Sequence, residues 1–291
     1  MMGNSGIWLG LAIMIVSEAA TLQQIEPFWS WNTPIAWTGF IIFADSVVFR
    51  ARGQSWIRSA PKEFAALALL SIPLWALFEF YNLFLRNWNY VGLPENPVLR
   101  SFGYAWSFAT IWPAIFEGAD LISVLRGRKA DVVQAFRPAD MFTPGEVVSV
   151  AIGAFMLGSP FVVPPVIRPY LAAPVWLGFI LLLDPINRHL GGESLTADLH
   201  AHRSDRLINL LASGVLCGFL WEFWNFWSRA KWHYTVPIMA NVRIFEMPVP
   251  GYFGFPAFAL ECFTMYVFLR CVYSRWKHEP GLSPPGHPVA L

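Results

Sequence analysis

The chain is predicted to be an all-α protein, a polytopic membrane helix bundle of about eight transmembrane helices. These are arranged as two direct four-helix repeats, with both termini cytoplasmic. Three observations predict this. Of the 291 residues, 56% are hydrophobic and only 13% charged, with a mean hydropathy of +0.46, more apolar surface than a soluble core of this length buries. Apolar runs long enough to cross about 30 Å of hydrocarbon recur along the chain. A set of polar and aromatic residues near the middle returns, in the same order, near the C-terminus.

Taken in order, the runs cover residues 6–23, 34–50, 64–85, 101–125, 144–163, 170–186, 206–228 and 249–270, the second and sixth being short. Basic residues test the count, because they are retained on cytoplasmic loops. Fourteen of the 20 Lys and Arg fall on one side. They follow the second run (Arg50, Arg52, Arg58, Lys62), the fourth (Arg126, Arg128, Lys129, Arg137), the sixth (Arg188, Arg203, Arg206) and the eighth (Arg270, Arg275, Lys277). Both termini are therefore expected in the cytoplasm. No cleavable signal is read at the start, where no cation precedes the first run and Glu18 interrupts it. The expected location is a cell membrane, the inner membrane of a bacterium. A formal net charge of +1 provides no basic stripe for phosphates and excludes nucleic acid as a partner. Cys217, Cys262 and Cys271 show no disulfide or zinc spacing and read as small packing residues.

The repeat is carried by residues that membranes disfavour. Trp75-Ala-Leu-Phe-Glu79-Phe-Tyr-Asn82 returns as Phe219-Leu-Trp-Glu222-Phe-Trp-Asn225, with Glu79 to Glu222 and Asn82 to Asn225 both stepping by 143. Trp88-x-Tyr90 returns as Trp232-x-Tyr234, and Pro113 to Glu117 as Pro256 to Glu261; Trp88 to Trp232 and Glu117 to Glu261 step by 144. Upstream, Trp37-Thr-Gly39 to Asp45 matches Trp176-Leu-Gly178 to Asp184, and Gly53-Gln-Ser55 matches Gly192-Glu-Ser194, at a step of 139. Four spans are an even number, so the copies enter the membrane in the same sense, about a pseudo-twofold axis along its normal. The organisation expected is one membrane domain: a first repeat over 1–135, a second over 136–277, and a disordered tail over 278–291 rich in Gly and Pro.

Besides Glu146 at the start of the fifth run, eight acids fall within the runs, namely Glu18, Asp45, Glu79, Glu117, Asp120, Asp184, Glu222 and Glu261, whereas Lys and Arg enter them only as the end residues Arg50, Arg206 and Arg270. An ionised carboxylate in hydrocarbon without a cation is costly, so these groups favour the neutral form, which can donate a proton. Glu79, Glu222, Glu117, Glu261, Asp45 and Asp184 are the candidate catalytic residues. Asn82 and Asn225 lie three residues after a Glu, on the same helical face, where an amide can fix the carboxyl rotamer. Asn82 and Asn225, with Trp88, Tyr90, Trp232 and Tyr234, are the candidate substrate-binding residues, the four aromatics on a loop folding over the cavity with ring faces that stabilise a carbocation. Plain alternatives are interhelical polar contacts for the acids and amides and an interfacial belt for the aromatics. Asp198-Leu-His200-Ala-His202 reads as a solvated loop, since no further ligand accompanies it at metal-site spacing; no metal is expected. No Asp-rich tract for magnesium diphosphate, nucleophile motif or phosphate-binding Gly loop is present.

The order of Trp221-Glu222-Phe-Trp-Asn225, Trp232-x-Tyr234 and Pro256 to Glu261 resembles the integral membrane carotenoid (lycopene) cyclase domains, with the related carotenoid hydratases and membrane meroterpenoid cyclases. There a polar Trp-Asp-Asn-type helix end is followed by Trp-x-Tyr and then by a Pro-x-Glu-Glu helix start. The first repeat follows more loosely through Glu79, Asn82, Trp88, Tyr90, Pro113 and Glu117. The likeness covers the second half of each repeat. Here Glu replaces the Asp, the amide is displaced, and a single Glu stands for two. The resemblance implies acid-initiated cyclisation of an isoprenoid without a cofactor.

The function expected is thus an intramembrane isoprenoid- or carotenoid-modifying enzyme, cyclising, hydrating or isomerising a polyene by protonated carboxyl groups. It needs no cofactor, and its partners are a lipophilic substrate and membrane lipids. Its rivals are a proton- or cation-coupled transporter and a non-catalytic lipid-binding membrane protein.

Overall fold

The computed structural model of the protein describes residues 2–128 and 141–277. The repeat boundary placed near residue 135 and the tail 278–291 lie outside the described residues.

The chain is helical throughout its apolar runs. Their order is α1 (Met2–Leu22), α2 (Phe28–Arg52), the short α3 (Trp56–Ser59), α4 (Pro61–Leu85), strand β1 (Trp88–Val91), α5 (Pro97–Ala109) and α6 (Ile111–Leu125). Then come α7 (Pro144–Val162), α8 (Ala172–Leu190), the short α9 (Leu195–His200), α10 (Asp205–Trp227), β2 (Lys231–Tyr234), β3 (Arg243–Ile244), β4 (Met247–Pro248) and α11 (Gly254–Trp276). Local chemistry sets several boundaries. The Asn96 side chain accepts from the Val98 and Leu99 amides with Pro97 at the first helical position, opening α5. A reciprocal Thr143–Glu146 capping box opens α7. Gly53 closes α2 and Gly191 closes α8, both at positive φ. The break between α5 and α6 at Thr110 falls three residues before Pro113, whose missing N–H cannot continue the ladder.

Among the described residues, seven helical stretches are long and apolar enough to cross a membrane: Asn4–Leu22, Phe28–Arg52, Pro61–Leu85, Pro97–Leu125, Pro144–Val162, Asp205–Trp227 and Val249–Trp276. The sixth apolar run is a full helix, α8, but Asp184, Asn187, Arg188 and His189 in its last third make it too polar to join the seven. The second run is longer than the sequence suggested, because α2 bends at Trp31 and continues past Pro34.

Packing runs as a chain of neighbours. α1 lies on α2, α2 on α6, α6 on α10, α10 on α11, α11 on α8 and α8 on α7, while α4 packs on α5 and α6. Two crossings are set by glycine. A Cβ on Gly10 would stand 2.5 Å from the Gly39 carbonyl, and one on Gly153 would stand 2.5 Å from the Leu182 amide and 2.7 Å from the Gly178 carbonyl. Helices approach to backbone contact at such points only through small residues. The centre is filled by Trp112, Phe116, Leu210, Ala259 and Cys262, all fully buried, and the three cysteines are buried free thiols.

β1 and β2 pair antiparallel, Trp88 opposite Tyr234 and Tyr90 opposite Trp232. The two Trp-x-Tyr motifs, far apart in sequence, therefore form one ribbon.

Candidate functional site

A cavity of about 110 Å³ opens at the end of the bundle where α4 and α10 finish and α2, α8 and α11 begin. Its wall is mostly aromatic: Trp31 and Trp37 from α2, Trp75 from α4, Trp221 from α10, Phe255 and Phe258 from α11, and Trp88, Tyr90, Trp232 and Tyr234 from the ribbon. The indoles of Trp75 and Trp221 meet with ring centroids 5.5 Å apart. Arg100 and Lys231 are the charged side chains of the lining. Lys231 is held by Glu246 at 2.8 Å, and Glu246 is also 2.7 Å from His233 Nδ1.

The helices bring one carboxyl from each half behind this wall. Glu79 and Glu222 are not lining residues themselves. Tyr90 donates its hydroxyl to Glu79 Oε1 at 2.5 Å, and Tyr234 donates to Glu222 Oε1 at 2.7 Å. The tyrosines thus stand between the acids and the cavity. Burial first, and then the adjacent Glu79 carboxyl, hold the Tyr90 phenol well above its ordinary value of 10.0. Burial and Glu222 do the same for Tyr234, so both hydroxyls keep their protons at neutral pH.

Asn82 and Asn225 do something other than fix the carboxyl rotamers. Asn82 Nδ2 donates to the Trp88 carbonyl at 2.8 Å while its Oδ1 accepts from the Asn87 amide at 2.8 Å. Asn225 makes the corresponding pair with the carbonyl and amide of Trp232, each at 2.9 Å. Neither amide lines the cavity. The Glu-x-x-Asn spacing places a carboxyl behind the cavity and an amide under the strand, and the amide's partner is backbone because the chain turns back directly after the helix. The substrate-binding expectation for these two residues is corrected to a positioning one.

The remaining acids do not converge on the cavity. Asp45 accepts from the Ile57 amide at 2.9 Å and lies 3.6 Å from Arg58 Nε. Asp184 accepts from the Ser194 hydroxyl at 2.9 Å, the Leu195 amide at 2.6 Å, and the Thr196 amide and hydroxyl at 3.1 and 2.6 Å. Both therefore pin the start of a short helix, α3 or α9, at the opposite end of the bundle, a structural task in place of the catalytic one expected. Glu117 and Glu261 are fully buried between these levels, without a hydrogen bond of normal geometry among the described residues. Glu117 lies near Asp45 and Asp120, and Glu261 near the Phe179 backbone. The expectation that no cation reaches the acids fails for Asp45 and for Asp120, which Arg52 contacts at 2.9 Å from the last turn of α2. Asp198, expected on a solvated loop, is buried in α9 and pairs with Arg203 at 2.9 Å and with Arg206.

Sequence reasoning missed Trp75 and Trp221. Trp75 carried a usable signal: it lies four residues before Glu79, one helical turn away, and its indole donates to Glu79 Oε1 at 2.9 Å. Compared with known protein families, curated proteins and solved structures, the chain matches none.

Proposed function

We propose that the protein is an intramembrane enzyme that adds a proton to a carbon–carbon double bond of an isoprenoid or carotenoid polyene and steers the resulting cation to a cyclised, hydrated or isomerised product. The observation that carries this reading is the pair of Glu–Tyr hydrogen bonds, Glu79–Tyr90 and Glu222–Tyr234, backing one aromatic cavity. A hydroxyl that lines the cavity gives its proton to the double bond and recovers one from the carboxyl behind it. The carbocation is held against indole and phenyl faces, whose electron-rich surfaces attract it. A neighbouring double bond attacks to close a ring, and loss of a proton to a carboxylate restores neutrality. No step calls on a cofactor.

In this reading the chain consists of two tandem four-helix units that cross the membrane eight times, α8 included, with both ends cytoplasmic, in the inner membrane of a bacterium. The packing of α1 on α2 is echoed by α7 on α8, and that of α2 on α6 by α8 on α11. Kinship with the membrane carotenoid cyclase domains is part of the proposal. The test is expression in cells that accumulate linear carotenoids or other polyprenes, comparing lipid extracts from wild type, Glu222→Gln and Glu79→Gln. A new product lost in either variant supports the enzyme. Extracts identical to the empty control across a broad polyene panel overturn it.

A second reading, proton- or cation-coupled transport, is favoured by one observation: Glu117 is fully buried close to Asp45 and Asp120, an acid series leading toward the other end of the bundle. Proton flux across liposomes holding the purified chain, abolished in Glu117→Gln, would select it.

A further inference from the structure

The two Glu–Tyr pairs are not equivalent, and the difference is written in the sequence. In the first half, Glu79 Oε1 receives three donors: Trp75 Nε1 at 2.9 Å, Trp88 Nε1 at 3.2 Å and the Tyr90 hydroxyl at 2.5 Å. In the second half, Glu222 Oε1 receives Tyr234 at 2.7 Å, and Trp232 Nε1, the counterpart of Trp88, turns to the Tyr234 oxygen at 2.9 Å. Glu222 Oε2 is buried without a hydrogen-bond partner among the described residues. The third donor is missing because the repeat step that carries Glu79 to Glu222 carries Trp75 to Gly218. No side chain fits there: a Cβ on Gly218 would stand 2.2 Å from the Phe255 ring.

Resting on the reading above, we propose that the two halves divide the proton chemistry, with Tyr234 delivering the proton that Glu222 supplies and Tyr90 returning the product's proton to Glu79. Three N–H and O–H donors on one oxygen suit a charged carboxylate. One close donor, with the Trp232 indole a more distant neighbour engaged by Tyr234, and a bare buried oxygen suit a neutral carboxyl, since an uncompensated charge there has neither cation nor solvent. The charged group that reaches Glu222 is Glu246, itself an acid, and the ionisable groups around Glu79 are Tyr90 and Tyr104.

With the proton on Glu222, the 2.7 Å contact reverses its direction: the carboxyl donates to the Tyr234 oxygen, which also accepts from Trp232, and the tyrosine's own hydrogen is freed for the cavity it lines. The C–H bond formed on the polyene takes that hydrogen, Glu222 refills Tyr234, and Glu222 is left as a carboxylate. The C–H bond broken on the carbon beside the cation sends its proton through Tyr90 to Glu79. The protein resets when Glu79 releases a proton to water and Glu222 takes one up. Tyr234 and Tyr90 are the catalytic residues in this scheme, and the two glutamates act through them.

The test uses the full chain in lipid nanodiscs and infrared difference spectra, which need no substrate. Wild type minus Glu222→Gln is expected to show the carbonyl stretch of a protonated carboxyl, and wild type minus Glu79→Gln the stretches of an ionised carboxylate. Tyr234→Phe, which keeps both acids, is expected to shift the protonated band, and it reads the same group should Glu222→Gln fold poorly. In polyene-producing cells, Tyr234→Phe is expected to lower product formation by about 10²-fold or more. A protonated band removed by Glu79→Gln, or left in place by Glu222→Gln and unmoved by Tyr234→Phe, overturns the assignment. Bands as expected with no polyene converted count against the enzyme and uphold the asymmetry; product formed with the bands exchanged overturns the asymmetry alone.

Discussion

Asn225 grips the Trp232 peptide from both sides, donating to its carbonyl and accepting from its amide at 2.9 Å each. One amide side chain thereby replaces two strand-to-strand hydrogen bonds and fixes where the second Trp-x-Tyr motif sits over the cavity. Asn225 is fully buried, so its removal leaves a peptide N–H and C=O without partners or water.

Asn225→Ala is therefore expected to destabilise the folded protein by about 2–3 kcal/mol, the cost of orphaning buried polar groups. Asn82→Ala, at a half-buried position, should cost less. Thermal unfolding in detergent checks both. If both variants kept wild-type stability and lost only product, the amides would be substrate contacts after all.

How much of this was legible beforehand depends on whether a residue's partner is local. The helices were readable because apolar runs and their Pro, Gly and Asn boundaries are local signals. The pairing of Trp88 with Tyr234 was half legible: the repeated spacing marked the motifs, but their meeting required the halves to fold against each other. Asp45 and Asp184 misled for a related reason. Their common step with Ser55 and Ser194 was visible, and that shared step was the clue that each acid serves its own neighbouring short helix. An acid inside an apolar run looks identical whether it faces a cavity or the amides of the next turn. The cations were misjudged because Arg52 and Arg58 reach back from helix ends, a length of side chain that counting by span ignores.

Asp184 provides a control for the chemistry. Four donors fix it at the start of α9, so Asp184→Ala should cost about 2 kcal/mol, at the upper end for a helix cap, with the product pattern of the surviving protein unchanged. Glu222→Gln should do the reverse, removing product at little cost in stability. Measuring unfolding and product in the same preparations separates the two outcomes; a lost product in a stably folded Asp184 variant would restore that acid to the reaction.

The glycine crossings make an expectation about packing. Ala is the better helix former, by about 1 kcal/mol over Gly, yet Gly153→Ala must push against the backbone of α8 at 2.5 Å. Backbone on both sides cannot yield as a flexible side chain would. The net effect expected is a loss of about 1–3 kcal/mol, with a similar loss for Gly10→Ala at the α1–α2 crossing. Neutral or stabilising outcomes at both sites would mean that these helices are not in contact there.

The last expectation concerns acid. Glu246 lies outside the spans, where the loop after β2 folds back, and holds Lys231 and His233 of the strand that carries Trp232 and Tyr234. Burial pushes its carboxyl upward, but hydrogen bonds and charge from Lys231 and His233 outweigh that and leave it below its ordinary value of 4.5. The folded group thus binds its proton more weakly than the unfolded one. Its contribution to stability is complete above pH 4.5 and drains away as the pH falls from there through the folded value. The midpoint of thermal unfolding should accordingly decline over that acidic range in wild type. Glu246→Gln should start lower at neutral pH and decline less. Because the contact anchors β2 alone, the loss should appear first as a change in indole fluorescence from the cavity wall, ahead of the loss of helix signal. Simultaneous loss of both signals would place the acid-sensitive contact elsewhere in the bundle.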